Sequence, residues 1–261
     1  MKATIAIISY KANELLRGCL RSLKKSPGVQ TYEIIVVDNA ADEDVQRILN
    51  EEVPWAVLIS NAENIGFARA VNQAFRRSTS EYVLVLNPDI HVRPGSVEAL
   101  LDTIRNDAHI GLCAPKLLNP DGSLQYSCRA FYTPKAILLR RAPLGPWLEN
   151  RQTWRHHLMM DWDHESVRTV DWVIGAAMML RRAAFPDGAV MDERFFLYFE
   201  DVDLCWRLKK AGWKVVYCAN AVMVHQHQRA SARGWWNRAK WEHLKSFLKF
   251  AWKYRREPIL S

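Results

Sequence analysis

No run of apolar residues in this 261-residue sequence approaches the ~20 needed to cross a bilayer. A secretory leader plan is also missing, because the N-terminus passes almost directly into the apolar run Ile5–Ile8. Cysteines are few. The five (Cys19, Cys113, Cys128, Cys205, Cys218) are odd in number and scattered, with neither metal-finger nor redox spacing. They exclude a disulfide framework and read as reduced thiols in a cytoplasmic protein. No Gly-x-Gly-x-x-Gly follows the first apolar run, and no Gly-Lys-Ser/Thr occurs anywhere, which argues against a dinucleotide-binding fold or a P-loop. Acid is scarce in one place. From Arg229 to Arg256 nine basic residues face a single acid, Glu242, and that difference equals the whole formal excess of +8. The rest of the chain is neutral overall, so the basicity belongs to the tail and points to a local anionic contact.

What is present is a strand–helix alternation in a chain that is 49% hydrophobic. Thr4–Ser9, Glu33–Val37, Ala56–Ile59 and the run from Tyr82 read as short buried strands. Between them, helices are predicted from Asn13, as cap, to about Lys25, over Asp42–Glu51 and over Ala68–Arg77. This is the pattern of βαβ units in a mostly parallel α/β sheet flanked by helices. Right-handed crossovers place Ser9, Asp38, Asn64 and Asp89 near one sheet edge, where ligands bind in open α/β sheets. Each also has an ordinary reading, since Asp-Asn, Asn-Ile-Gly and Asn-Pro-Asp are common turn formers.

Beyond Asp89 the spacing predicts a helix over Pro94–Arg105, a strand over Ile110–Leu118 and loops with short helices over Tyr132–Glu165. Order returns at Val170–Arg182 and in a helix over Asp201–Ala211, closed by Gly212. Acids at Glu200, Asp201 and Asp203 suit the start of that helix. They also lie among Phe195, Phe196, Tyr198, Phe199 and Trp206, and a desolvated carboxylate there makes a better base. Val215–Val224 is a last strand delivering His225 and His227, and Trp235–Tyr254 reads as an amphipathic helix.

Seven segments in register carry a resemblance. They are Ile7-Ile8-Ser9-Tyr10, Val36-Val37-Asp38-Asn39, Asn64-Ile65-Gly66-Phe67-Ala68-Arg69, Leu86-Asn87-Pro88-Asp89, Gly175-Ala176-Ala177-Met178, Phe199-Glu200-Asp201-Val202-Asp203, and His225 followed by Ser231. In this order the chain resembles the family 2 glycosyltransferases, inverting enzymes with the GT-A fold, and within them the rhamnosyltransferase-like group. The resemblance implies that Ser9, Tyr10 and Asp38 contact a nucleoside, with Asn64, Gly66, Arg69 and Asn87 completing the nucleotide site. It implies Gly175 and Ala176 at the donor or acceptor sugar, and Asp89 and His225 at a divalent metal, Mg²⁺ or Mn²⁺. Asp201 falls at the catalytic base, with Glu200 as the alternative. Asn87 stands where many relatives have the first acid of Asp-x-Asp, which leaves one carboxylate for the metal.

The expected organisation is one catalytic domain over residues 1–228, with a nucleotide-binding half (1–118) and an acceptor-side half (119–228). A basic amphipathic helical tail follows over 229–261. The expected donor is a nucleoside diphosphate sugar, dTDP-rhamnose first. The acceptor is a glycan or lipid-linked saccharide in cell-surface polysaccharide synthesis. Residues 229–256 fit an anionic membrane surface, which would make the protein peripheral on the inner face of the membrane. The same helix could instead pack on the domain or form a homodimer. No nucleic-acid motif accompanies the basic tail. A non-catalytic sugar-nucleotide or glycan-binding protein, or a nucleotidyltransferase, are the other readings.

Overall fold

The computed structural model describes residues 3–131, 151–226 and 238–255. Its centre is a sheet whose first half is parallel: β1 (Thr4–Ser9), β2 (Glu33–Asp38), β3 (Val57–Ser60) and β4 (Tyr82–Leu86), in the order β3-β2-β1-β4. The continuous apolar runs are explained by burial on both faces. Ile5 and Ile7 of β1 and Leu84 and Leu86 of β4 join one core cluster, while Ala6, Ile8, Val83 and Val85 join the other. Helices α1 (Asn13–Lys24), α2 (Glu43–Glu52) and α3 (Phe67–Arg77) connect these strands, and α4 (Ser96–Asn106) follows β5 (Ile90–Val92).

The second half of the sheet is mixed. β11 (Ala177–Arg181) enters antiparallel between β4 and β6 (Ile110–Leu118). β12 (Lys214–His225) then runs parallel to β6, and β5 closes the edge antiparallel to β12. Short strands β7 (Leu124–Gln125) and β9 (Arg168–Thr169) pair with β6 and β12. β8 (Cys128–Arg129) and β10 (Trp172–Val173) form a separate ribbon. Only the short helix α5 (Arg151–His157) and the residues after it represent the irregular Tyr132–Glu165 segment; residues 132–150 lie outside the described residues.

Several helix starts differ by a residue or two from the sequence reading. α1 has Ala12 at its N-cap with no side-chain cap; Asn13 is its first helical residue, and its Nδ2 donates to Asp42 Oδ2 at 3.0 Å. Asp42 caps α2, accepting from Asp44 N–H. The acidic helix, α6 (Glu200–Lys210), begins at Glu200 with Phe199 at the cap position. Gly212 ends it with φ +82°, as a C′ glycine does.

Helix α7 (Arg238–Lys253) covers α6. Its inner face buries Ser246, Phe250 and, just past its end, Tyr254. Trp241, Leu244, Leu248 and Trp252 remain on its outer face, 38–64% exposed. Residues 227–237 and 256–261, which include His227, Ser231, Trp235 and much of the basic tail, lie outside the described residues.

Arg181 joins the two halves from inside. Its buried guanidinium donates to Ile110 O at 2.8 Å, Asp107 O at 3.0 Å and Ile104 O, and it lies over the Tyr82 ring. Removing it leaves carbonyls of α4 and β6 without donors, each at roughly 1 kcal/mol or more. Arg181→Met is expected to lower unfolding free energy by about 3 kcal/mol. Urea titration checks this, read as a lower midpoint at unchanged slope.

Candidate active site

The carboxyl ends of β1, β2 and β4 meet at one edge. Ser9 pairs in register with Asp38, and Asn39 N–H donates to Ser9 O at 2.9 Å. The Asp38 carboxylate is buried and folds its own loop, accepting from Ala40 N–H at 3.0 Å and Asp42 N–H at 2.7 Å. Ser9 Oγ is buried with no hydrogen-bond partner among the described residues, so a polar atom waits at this edge. Tyr10 beside it is 46% exposed and offers an open ring. Asn64 Oδ1 accepts from Gly66 N–H at 2.9 Å, and Gly66 has φ +88°. Only glycine suits that position, because a Cβ there would lie 2.8 Å from Phe196 O.

Arg69 lies 3.7 Å from Glu193, beside a cavity of about 610 Å³ that Asn64 also lines. A sequence motif fixes where a residue sits along a helix, whereas the charge opposite it decides where a long, exposed guanidinium points.

Asp89 and His225 are brought together. Asp89 Oδ2 is 3.4 Å from His225 Nε2, and Gln226 N–H donates to Asp89 O at 2.9 Å. His225 Nδ1 contacts Gln125 Oε1 at 2.8 Å, and an amide oxygen accepts there, so this ring edge is held by Gln125 while the Nε2 edge faces Asp89. Gln226 Nε2 is 3.0 Å from His91 Nε2, and Gly18 makes room for that ring. Gln125, His91 and Gln226 were not singled out in the sequence. The one signal available was that His91 falls two residues after Asp89 in the sequence.

A short backbone path leads from here to the acid turn. Asn87 N–H donates to Ala176 O at 2.9 Å, and Gly175 N–H donates to Asp201 Oδ2 at 3.1 Å. A Cβ at Gly175 would sit 3.4 Å from the Phe67 ring and 3.7 Å from Asp201 Cβ, so glycine lets the two approach.

The three acids of α6 have three environments. Asp203 is fully buried and neutralised by Arg207 at 2.8 Å, Tyr254 Oη at 2.7 Å and Lys253. Glu200 is buried, and its Oε2 has no partner among the described residues. Burial, and then the Asp201 charge, push its carboxyl well above the usual range. Burial raises Asp201 too, but N–H groups of Val202 and Gly175 hold its charged form. Asp201 is therefore the acid that ionises first, with Glu200 keeping its proton beside it. Tyr198 and Phe199, just before them, both have positive φ (+70° and +68°). Such a pair persists only when its surroundings hold it. Ser246 Oγ of α7 donates to Leu197 O at 2.8 Å, and the Phe199 ring lies 5.3–5.7 Å from His243, Phe247 and Phe250.

The fold and this edge define a GT-A-type glycosyltransferase. Among solved structures the chain is similar to GalNAc-T7 with UDP, GalNAc and Mn²⁺ (TM-score 0.69, 14% identity, 96% of this chain and 47% of that one). It is also similar to the mannosyltransferase PcManGT from Pyrobaculum calidifontis in complex with GDP-Man and Mn²⁺ (TM-score 0.60, 17% identity, 95% and 64%). The chain thus spans less than two thirds of either solved protein. The model of the glycosyltransferase like family 2 matches residues 2–243, and the chain belongs to that family. An N-acetylglucosaminyl-diphospho-decaprenol L-rhamnosyltransferase of Mycobacterium tuberculosis is 30% identical over 243 residues, 88% of this chain and 77% of that protein. The rhamnosyltransferase WbbL of Escherichia coli K12 is 24% identical over 263 residues, 98% of this chain and 94% of that one.

The raised Glu200 carboxyl has a stability consequence. Its folded form holds the proton more tightly than the unfolded chain does, so wild-type stability falls as pH rises from the ordinary carboxyl range through the raised value. Glu200→Gln removes that loss. The variant is expected to melt higher than wild type at pH 7.5, by about 1.4 kcal/mol per unit of elevation, with the gain gone near pH 4. Calorimetry at both pH values checks this, and equal melting differences at the two would contradict it.

Proposed function

We propose that this enzyme transfers a sugar from a nucleoside diphosphate sugar, dTDP-rhamnose first, to a hydroxyl of a glycan or lipid-linked saccharide, with inversion, in cell-surface polysaccharide synthesis. The observation that supports the reading is the hydrogen-bond path from Asn87 to Ala176 and from Gly175 to Asp201, which links the segment just before Asp89 to the carboxylate proposed as base. Asp201 takes the acceptor proton while the acceptor oxygen bonds to the anomeric carbon. The bond to the diphosphate breaks on the opposite face, and its electron pair leaves with the phosphate. Glu200, protonated, keeps a second negative charge out of the pocket. Ser9 and Tyr10 take the nucleoside, with Oγ hydrogen-bonding and the exposed ring stacking.

Asp89 and His225 would hold Mg²⁺ or Mn²⁺. A carboxylate oxygen faces an imidazole nitrogen whose other nitrogen is already fixed by Gln125, the usual support for a ligating histidine. No group of three such ligands occurs among the described residues, so phosphate oxygens and water would complete the shell. When bound, the ion supplies Lewis-acid stabilisation of the leaving diphosphate.

The decisive experiment offers a panel of radiolabelled sugar nucleotides with Mg²⁺ or Mn²⁺. One donor should give transfer, and Asp201→Asn should lower turnover by ~10²–10⁴-fold while donor affinity by calorimetry holds. Asp89→Ala should weaken donor binding. Near-wild-type turnover in Asp201→Asn removes it from the role.

We infer further that the enzyme sits peripherally on an anionic membrane face. No helix among the described residues is long and apolar enough to cross one. The outer face of α7 carries Leu244, Leu248 and Trp252 with exposed Lys245 and Lys249 beside them, which suits the interface plane. A homodimer through the same face is the other occupant. The full chain should sediment with phosphatidylglycerol vesicles and Leu248→Glu should not. Salt-independent self-association without sedimentation favours the dimer.

A further inference from the structure

The stripe on α7 runs into the 610 Å³ cavity noted above, and Trp252 belongs to both. The other walls are Asn64 and Ile65 before α3, the Arg194–Phe196 turn, and Lys249 and Lys253 of α7. Four cations line it (Arg69, Arg194, Lys249, Lys253) against two acids, Glu63 and Glu193. Two of those cations are already committed. Lys253 bonds Asp203 and Asp192, and Arg194 is paired with Asp192 at 2.9–3.1 Å. Lys249 Nζ reaches only a backbone carbonyl, Arg194 O at 2.7 Å, among the described residues. Arg69 has Glu193 at the loose distance of 3.7 Å. The cavity therefore offers two cations that a stronger anion could recruit, with Ile65, Phe196 and Trp252 as apolar wall.

One wall residue, Phe196, is linked to the acid turn. Phe67 N–H donates to Phe196 O at 3.1 Å, and the Phe67 ring lies against Gly175, whose N–H holds Asp201. The cavity wall is thus joined to the proposed base through Phe67 and Gly175. Another wall residue, Trp252, is 64% exposed, and Leu248 one helical turn before it on α7 is 55% exposed.

Building on the transferase reading, we propose that this cavity seats the phosphate head of an apolar-tailed acceptor. The head lies on Lys249 and Arg69, and the tail leaves along the Leu248–Trp252 stripe toward the bilayer. An anion on a long apolar chain is the one ligand that uses both halves of the surface. A free nucleotide has no use for the stripe, and a bilayer headgroup has no need of a cavity of about 610 Å³.

Farnesyl diphosphate is a soluble probe of that chemistry. Quenching of tryptophan fluorescence on the full chain should show it binding at least tenfold more tightly than farnesol or inorganic pyrophosphate. Lys249→Glu and, separately, Leu248→Ser should each weaken it about tenfold; both side chains are exposed, so folding is expected to hold, and thermal melting checks it. Nucleoside diphosphate affinity, measured in parallel, should not change. Equal binding of farnesol, or farnesyl diphosphate binding indifferent to Lys249→Glu, overturns the site. Short-chain phosphatidylglycerol binding as well as farnesyl diphosphate reduces it to a general lipid contact and likewise overturns it. Loss of nucleotide binding by the wild type counts against the donor reading alone, because the probe comparison stands without it.

Discussion

The hydrogen bond from Gly175 N–H to the Asp201 carboxylate is the contact on which the rest of the site depends. It is possible because residue 175 has no side chain, and it matters because the next residue, Ala176, accepts from Asn87 N–H. Two segments more than eighty residues apart are thereby fixed within a few bonds of each other. β11 is the element that achieves this. By entering antiparallel between β4 and β6, it carries the Gly175 loop to the carboxyl end of β4, where a parallel strand would have carried its far end. The mixed half of the sheet thus delivers acids to the edge that the parallel half prepares.

The electrostatics of α6 follow from position more than from residue type. Three carboxyls lie within four residues, at the positive end of one helix. Asp203 faces α7 and receives a lysine, an arginine and a tyrosine hydroxyl. Glu200 is buried with Oε2 unpaired among the described residues, and burial together with the Asp201 charge raises its carboxyl. Asp201 faces the β11 loop, and two backbone N–H groups stabilise its charge. Environments that push neighbouring acids apart in proton affinity are how one site keeps one base and no surplus charge.

Much of the architecture could be read from residue order. The runs Thr4–Ser9 and Tyr82–Leu86 are buried on both sides, and burial on both sides is what a continuous apolar run means. The positions of Asp89 and Asp201 in the fold were legible for a local reason, since one follows a buried strand and the other lies in the first turn of a helix. What resisted reading was non-local. The Gln125–His225 contact joins residues a hundred positions apart, and the antiparallel entry of β11 depends on partners that local pattern cannot name. Asn13 reads as a cap but is the first residue of α1, and its amide donates across to Asp42 in the next loop. Arg69 sits where the motif has it, but its charge answers to Glu193. Left-handed backbone at Tyr198 and Phe199 runs against the preference of both residue types, so it had no local signature. Helix α7 carries apolar residues on both faces, and periodicity alone could not say which would be covered.

That two-sided character bears on how the molecule can be handled. An investigator seeking a better-behaved protein would be tempted to cut the chain before Arg238 and discard the exposed tryptophans. The same cut withdraws Ser246 from Leu197, the aromatic bed from Phe199, and Lys253 and Tyr254 from Asp203. Of its lysine, arginine and tyrosine partners the buried Asp203 carboxylate would keep only Arg207, and two contorted residues would be released beside Asp201. Shortened forms of this enzyme would then be inactive for a reason unrelated to membranes, and point changes on the outer stripe are the cleaner way to separate the two roles.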